Sequence, residues 1–268
     1  MLKLITAVRC RPITVGAIRI GIFQPFKFLW QLAAQDSYLV GAPFEVFMEI
    51  LYKSKNAVVV YKPPLIPSQP DPSGDEDIMT MTSRALRELG EVDKLWLVHR
   101  LDRVVGGIMV FARNGKAAAE LSKIFADEES NAKTYLAVLE GKICDGVMTD
   151  YIYKDKLKNK AYITDRARGG VKQCTLEAKT LAVAASGYSL VEIKLHTGRF
   201  HQIRAQMSHR GASVLGDKKY GGCDRGAHTP ALFAYKLDIK ISTERICVKK
   251  LPNMSEYPWS LFDTECIE

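Results

Sequence analysis

The chain has 268 residues, a length that suits one large domain or two small ones with a full apolar core. Its hydrophobic content of 47% and charged content of 25% are ordinary for a soluble globular enzyme. The six cysteines form no CxxC pair, which excludes a disulfide framework and a cysteine-based metal site, and no stretch offers the roughly twenty uninterrupted apolar residues of a membrane span. The formal charge of +8 favours a polyanionic partner, although a generically basic protein would show the same charge.

The first thirty-five residues are basic and apolar and contain no acidic residue. They permit two interpretations: an organellar transit segment, against which the scarcity of serine argues, or an upstream extension that adds nothing to the fold. We favour the extension and predict that residues 1–47 lie outside the fold, while residues 48–268 form the catalytic domain. A cytoplasmic location follows from this interpretation, and an organellar location follows from the transit interpretation.

From residue 48 onward, short strands alternate with a few helices. In chain order the patterns predict a strand over 57–61, a helix over 81–89, a strand over 107–112, a helix over 116–126, strands over 134–139, 174–182 and 188–195, a helix over 202–210 and a strand over 231–241. Strands outnumber helices, which indicates an α+β fold with a mixed, mostly antiparallel sheet and flanking helices.

One segment is strongly basic. Residues 154–172 hold seven lysines and arginines against two acidic residues, Asp155 and Asp165. A solvated hairpin would have this composition, and so would a surface strip that follows a phosphate backbone.

Two segments carry the functional signal. The first reads His99-Arg100-Leu101-Asp102 and runs through Gly106-Gly107 into an apolar strand, so that a charged pair lies at the mouth of a buried sheet. The second, about a hundred residues later, contains TGRFHQIR over 197–204 and LGDKKYG over 215–221. A structural ion pair on a loop would explain the first segment alone, but not the two together.

These motifs resemble, in order and spacing, those of the RluA family of RNA pseudouridine synthases, and the resemblance covers roughly residues 48–250. It implies a pseudouridine-synthase-like catalytic domain without the separate N-terminal RNA-binding domain of longer members. It also implies isomerisation of a uridine in ribosomal or transfer RNA by a monomer with no cofactor and no metal. No obligate protein partner and no membrane association are expected.

The resemblance assigns roles to individual residues. Asp102 matches the catalytic aspartate, as nucleophile or as base, and Arg204 matches the cation that favours its ionised form. Tyr135 matches the active-site tyrosine that stacks on the flipped uracil, and Arg100 matches the residue that enters the RNA in place of the extruded nucleotide.

Lys62 and Arg199 are weaker candidates, for structural or RNA phosphate-binding roles. Two positions depart from the family pattern. Val105-Gly106-Gly107 stands where many members have Thr-Ser-Gly, and Phe200 stands where many have threonine. Neither supplies the carboxylate, its cation or the stacking ring, so they bear on loop packing and substrate choice.

Two rival functions remain for comparison. A non-catalytic RNA-binding or RNA-folding protein on the same scaffold would be favoured if Asp102, Tyr135 or Arg204 were missing, and all three are present. A phosphate-handling hydrolase is disfavoured because the chain lacks a Walker-type phosphate loop and a convincing set of metal ligands.

Overall fold

The computed structural model describes residues 18–22, 46–127, 132–241 and 244–267. The strands are β1 Ile18–Ile22, β2 Val46–Lys53, β3 Ala57–Lys62, β4 Trp96–Leu97, β5 Gly106–Ala112, β6 Lys133–Glu140, β7 Gly146–Asp155, β8 Lys160–Thr164, β9 Lys172–Val183, β10 Tyr188–Leu195, β11 Leu232–Ile241 and β12 Glu244–Lys249. The α-helices are α1 Ile78–Glu88, α2 Gly115–Ala126 and α3 Gln202–His209. Three short 3-10 helices lie at Lys218–Tyr220, Trp259–Leu261 and Thr264–Ile267.

The strands form one sheet in the order β1-β2-β3-β5-β11-β6-β10-β9-β7-β8, with β12 paired to β11 and β4 paired to β5. The pairing of β11 with β5 is parallel, and the other strand pairs among the described residues are antiparallel. The predicted α+β class with a mixed, mostly antiparallel sheet is therefore confirmed.

The central strand β5 is buried along its whole length because both faces of the sheet are covered there. Met109 and Phe111 belong to one apolar cluster, and Ile108 and Val110 belong to a second cluster on the opposite face. Successive side chains of a strand point to opposite faces, so a continuous apolar run supplies both cores at once. The ends of this doubly buried strand are consequently fixed in position.

Helices α1 and α2 cover opposite faces of the sheet. Met81 and Leu86 of α1 join the first cluster, and Leu121 of α2 joins the second. Helix α1 begins three residues before the predicted start, because the Asp77 carboxylate accepts hydrogen bonds from the backbone N–H groups of Met79 and Thr80, at 3.0 Å each. No helix among the described residues is long and apolar enough to cross a membrane.

Two regions extend or differ from the sequence-based expectations. Strands β7 and β8 form an antiparallel hairpin, one of the two interpretations of the basic segment, and three of the seven basic residues lie on β7, β8 and β9: Lys154, Lys160 and Lys172. Strand β1 lies within residues 1–47, and its backbone pairs with β2, so these five residues join the sheet instead of lying apart from it. Strand β2 itself begins at Val46. The rest of the predicted extension lies outside the described residues, and the division of the chain into two parts stays a prediction.

Candidate active site

A cleft of about 1090 Å³ opens at one end of the central strands. Its lining includes the loop between β4 and β5, the first residues of β6, the segment that leads into α3, and the loop that follows α3. Residues 67–71 and the end of α2 also contribute. Three of the predicted site residues, Asp102, Tyr135 and Arg204, lie on its wall. The structure thus brings together residues that are up to 102 positions apart in the chain.

Asp102 lies in the loop that precedes β5, and Gly107 determines how closely that loop approaches β11. Gly107 has φ +129°, and a Cβ atom on it would lie 2.4 Å from the carbonyl oxygen of Ala234 on β11. Only glycine permits this backbone conformation and this contact at once. The loop turns back through a hydrogen bond from the Val105 N–H to the Asp102 carbonyl, at 3.0 Å. Asp102 is therefore held close to the end of strand β5 from which the cleft opens.

Arg204 connects two carboxylates. Its Nε and Nη2 donate to the two oxygens of Asp217 at 2.6 and 2.8 Å, and its Nη1 donates to Oδ2 of Asp102 at 3.1 Å. The bidentate contact with Asp217, whose side chain is 1% exposed, fixes the plane of the guanidinium. The third donor is thereby aimed at Asp102.

The Asp102 carboxyl experiences opposing influences. Burial raises its pKa, while Arg204 opposes that rise most strongly and Lys62 and Arg100 oppose it more weakly. The side chain keeps 24% exposure, so one side of the carboxyl faces the cleft. The arrangement presents a partly desolvated carboxylate to whatever occupies the cleft.

His201 lies beside the same carboxylate and is connected in turn to Tyr220. His201 Nε2 lies 3.6 Å from Asp102 Oδ2, and His201 Nδ1 lies 2.9 Å from the Tyr220 hydroxyl. That hydroxyl also accepts a hydrogen bond from the Ala161 N–H at 2.7 Å. Burial, followed by the charge of Arg204, lowers the pKa of His201 to about 3, so the imidazole is neutral at physiological pH. His201 has a left-handed backbone, φ 51°, a conformation that non-glycine residues seldom adopt and that is common at functional sites.

Tyr135 projects from β6 into the cleft and is almost fully buried. Burial raises the pKa of its hydroxyl, and the neighbouring Asp102 charge raises it further. The phenol is therefore protonated across the physiological range, and its ring is available as an apolar wall.

The three predicted RNA-binding residues differ in environment. Arg100 is exposed at the mouth of the cleft, and Arg199 lies on the cleft wall, where its Nε donates to the Gln173 carbonyl at 3.0 Å.

Lys62 is 0% exposed, and its ammonium donates to the carbonyls of Pro63, Ile66 and Arg103 at 2.9, 2.8 and 3.1 Å. All three of its donors are occupied inside the protein. The prediction that Lys62 contacts RNA phosphate is therefore wrong, and its contacts fit the structural alternative.

Sequence reasoning gave no role to Asp217, His201 or Tyr220, although all three lie inside the motifs that carried the resemblance. What identifies Asp217 is that one guanidinium pairs with both its carboxylate and that of Asp102. This pairing is visible in the structure and not in the spacing of residues along the chain. Within the described ranges, no group of three or more histidine, cysteine or acidic residues is arranged to hold a metal ion.

A family model described as RNA pseudouridylate synthase matches residues 56–209. Ribosomal large subunit pseudouridine synthase D of Borreliella burgdorferi is 30% identical over 226 residues, which are 81% of this chain and 67% of that protein. An uncharacterized RNA pseudouridine synthase of Haemophilus influenzae is 28% identical, over 78% of this chain and 90% of that protein.

Two solved structures share the fold. Human RNA Pseudouridylate Synthase Domain Containing 4 superposes with a TM-score of 0.61 at 24% identity, over 76% of this chain and 89% of that chain. Human RNA Pseudouridylate Synthase Domain Containing 1 gives a TM-score of 0.60 at 25% identity, over 81% and 86%.

Proposed function

Because this chain belongs to the RNA pseudouridylate synthase family, we propose that Asp102 is the carboxylate with which it isomerises uridine in RNA. The reaction class follows from the family: the enzyme is an isomerase that converts a uridine in RNA to pseudouridine. We further propose that the uridine lies in structured RNA, either ribosomal or transfer RNA. Relatives of the chain include synthases named for the large ribosomal subunit, which supports the ribosomal choice.

Isomerisation of uridine to pseudouridine requires one reactive carboxylate. The bond between N1 and the ribose breaks, the base turns, and C5 bonds to the ribose in its place, after which C5 loses its proton and N1 gains one. Nothing enters or leaves in the net reaction. Asp102 would start the cleavage either as a nucleophile or as a base, and the same residue geometry serves both routes.

The observation that carries the proposal is the contact between Asp102 and Arg204. A carboxylate in a cleft that closes over a base loses water, which favours its neutral form. Arg204 opposes this through the hydrogen bond of 3.1 Å, and the buried Asp217 prevents the guanidinium from turning away. Tyr135, on the wall of the same cleft, would receive the flipped uracil on its ring.

Pseudouridine mapping tests both the activity and the role of Asp102. The full chain and its Asp102→Asn variant are expressed in a host that lacks its own synthases of this family. Pseudouridine in ribosomal and transfer RNA is then located by carbodiimide-dependent reverse-transcription stops. Asp263→Asn, an equivalent change at an exposed carboxylate outside the cleft, is the matched control.

We expect new stops with the wild type and with Asp263→Asn, and none with Asp102→Asn, although that variant still binds RNA. Stops that persist in Asp102→Asn would remove Asp102 from the catalytic role. RNA binding without any new stop in the wild type would favour the alternative function, a non-catalytic RNA-binding protein on this scaffold.

A further inference from the structure

We propose that Lys133 is a binding site for a backbone phosphate of the RNA strand that carries the target uridine. The inference rests on the proposed function, and it concerns a residue to which neither the motifs nor the family resemblance assigned a role. Its basis is the position of the ammonium, the charges around it and the lack of an acidic partner for it in the part of the chain that the structure describes.

Lys133 and Tyr135 share one face of β6. They are two residues apart, so their side chains point the same way, about 6.6 Å from each other along the strand. Both line the cleft that contains Asp102. A distance of this size is comparable to the span from the base to the phosphate within one nucleotide. A uracil on the Tyr135 ring would therefore leave a neighbouring phosphate within reach of Lys133.

Two other cations of the cleft are already occupied. Arg204 is bound to Asp217 and Asp102, and Arg103 forms ion pairs with Asp71 and Asp75. These groups shape the site, but their donors are committed to protein acceptors, so they offer little to an incoming anion.

Lys133 has a different environment. Its ammonium lies 4.9 Å from the centre of the Phe125 ring, and among the described residues no carboxylate forms an ion pair with it. Phe125 is held in turn by the buried His99 ring, with 4.6 Å between centroids. Burial lowers the pKa of Lys133 to about 8, so the amine is still mostly protonated at neutral pH. Within the described ranges, a partly desolvated cation thus lies in the cleft with no carboxylate paired to it.

The turn between β10 and α3 lies directly beside the ammonium. A Cβ atom built on Gly198 would lie 3.5 Å from Lys133 Nζ, which is an ordinary van der Waals contact. The ammonium therefore lies on the same cleft wall as this turn. A phosphate oxygen suits this site because it supplies both the missing charge and a strong hydrogen-bond acceptor.

The first test compares variants in RNA binding and in steady-state kinetics. Lys133→Gln removes the charge, Lys133→Arg keeps it, and Lys123→Gln is the matched control at an exposed lysine of α2 outside the cleft. The probes are unmodified transfer RNA and large-subunit ribosomal RNA transcripts, with binding measured over a range of salt concentrations.

We expect Lys133→Gln to raise Kd and KM about tenfold while kcat changes less than twofold, which is the size of one charged hydrogen bond. Its plot of log Kd against log salt concentration should lose about one unit of slope, because one phosphate contact is gone. Lys133→Arg should restore most of the affinity, and Lys123→Gln should match the wild type. A Lys133→Gln variant with wild-type affinity, or one that loses kcat at constant KM, would overturn the proposal.

The second test changes the RNA and compares the wild type with Lys133→Gln. A stem-loop RNA that contains a mapped target uridine receives one uncharged methylphosphonate linkage at a time on either side of that uridine. One linkage should weaken binding to the wild type about tenfold and leave binding to Lys133→Gln unchanged, since the charge it removes has no partner there. Equal losses in both proteins at every linkage would refute the contact. If no RNA is isomerised, the proposed function fails, whereas the salt-dependent binding comparison still decides the role of Lys133.

Discussion

Arg204→Lys is the sharpest perturbation of the site because it keeps the charge and changes the geometry. The wild-type guanidinium makes three contacts with two carboxylates, at 2.6, 2.8 and 3.1 Å. An ammonium is compact and lacks the planar fork, so it cannot reproduce the bidentate contact with Asp217 and reach Asp102 as well.

The expected size of the effect follows from the contact that is lost. A hydrogen bond to a charged group is worth about 1.5–3 kcal/mol, which corresponds to roughly a 10- to 150-fold lower rate if Asp102 loses its partner in the transition state. The assay is the single-turnover rate of pseudouridine formation with enzyme in excess over RNA. Thermal melting measured in parallel separates a slower enzyme from a less stable one.

Arg210→Lys provides the control. Arg210 follows α3 and pairs with Asp150 at 2.8 Å, outside the cleft, so the same substitution there should leave the rate unchanged. If Arg204→Lys is as fast as Arg210→Lys and melts normally, then Arg204 does not act on Asp102 as argued.

Three further outcomes are expected. Tyr135→Phe keeps the ring but loses the hydroxyl, so RNA binding should persist while the single-turnover rate falls at least about 100-fold if the phenol moves a proton; an unchanged rate would leave stacking as its role. Gly107→Ala should lower the free energy of unfolding by at least about 2 kcal/mol in urea titrations, because its Cβ would meet Ala234 at a positive φ. Gly115→Ala, with open space around it, should be neutral, and equal stability of the two variants would contradict the close-approach argument. The pKa of His201 lies at about 3 in the folded protein, below its ordinary 6.5, so the folded state disfavours the proton and stability is lost as pH falls from 6.5 towards 3. His201→Gln should lose less unfolding free energy than the wild type between pH 7 and 4.5, and parallel losses would show that the imidazole is not held neutral.

The central part of the fold was predictable because its signals are local. The β5 run and the alternating or apolar patterns of β6, β10 and β11 identify buried strands, and the structure places them within one or two residues of their predicted bounds. For the β7–β8 hairpin, composition suggested a hairpin but periodicity did not give its strand bounds, for a physical reason. Only two of the ten residues of β7 are buried, so this part of the sheet, near its edge, shows no clear period of two in the sequence.

Site residues could be predicted where the motif itself identifies them. They could not be predicted where a residue's role depends on which side chain lies next to it in the fold. Asp102, Tyr135 and Arg204 were identified from the motifs and meet in one cleft, while their catalytic roles stay predictions. Asp217 was missed because its importance comes from the guanidinium across from it. Lys62 was assigned to RNA binding because lysine is rarely fully buried. The sequence does not show that three backbone carbonyls accept hydrogen bonds from its ammonium.

The order of strands in the sheet has a consequence for when the enzyme becomes active during its synthesis. Strand β5, which follows the Asp102 loop, and strand β6, which carries Tyr135, are not neighbours: β11 lies between them. Residues 232–241 therefore have to be made before the two halves of the cleft can be joined through the sheet. In a nascent chain that ends before β11, the strands next to Asp102 and Tyr135 would not yet be joined in one sheet. The enzyme consequently cannot assemble this cleft until residues 232–241 have emerged from the ribosome.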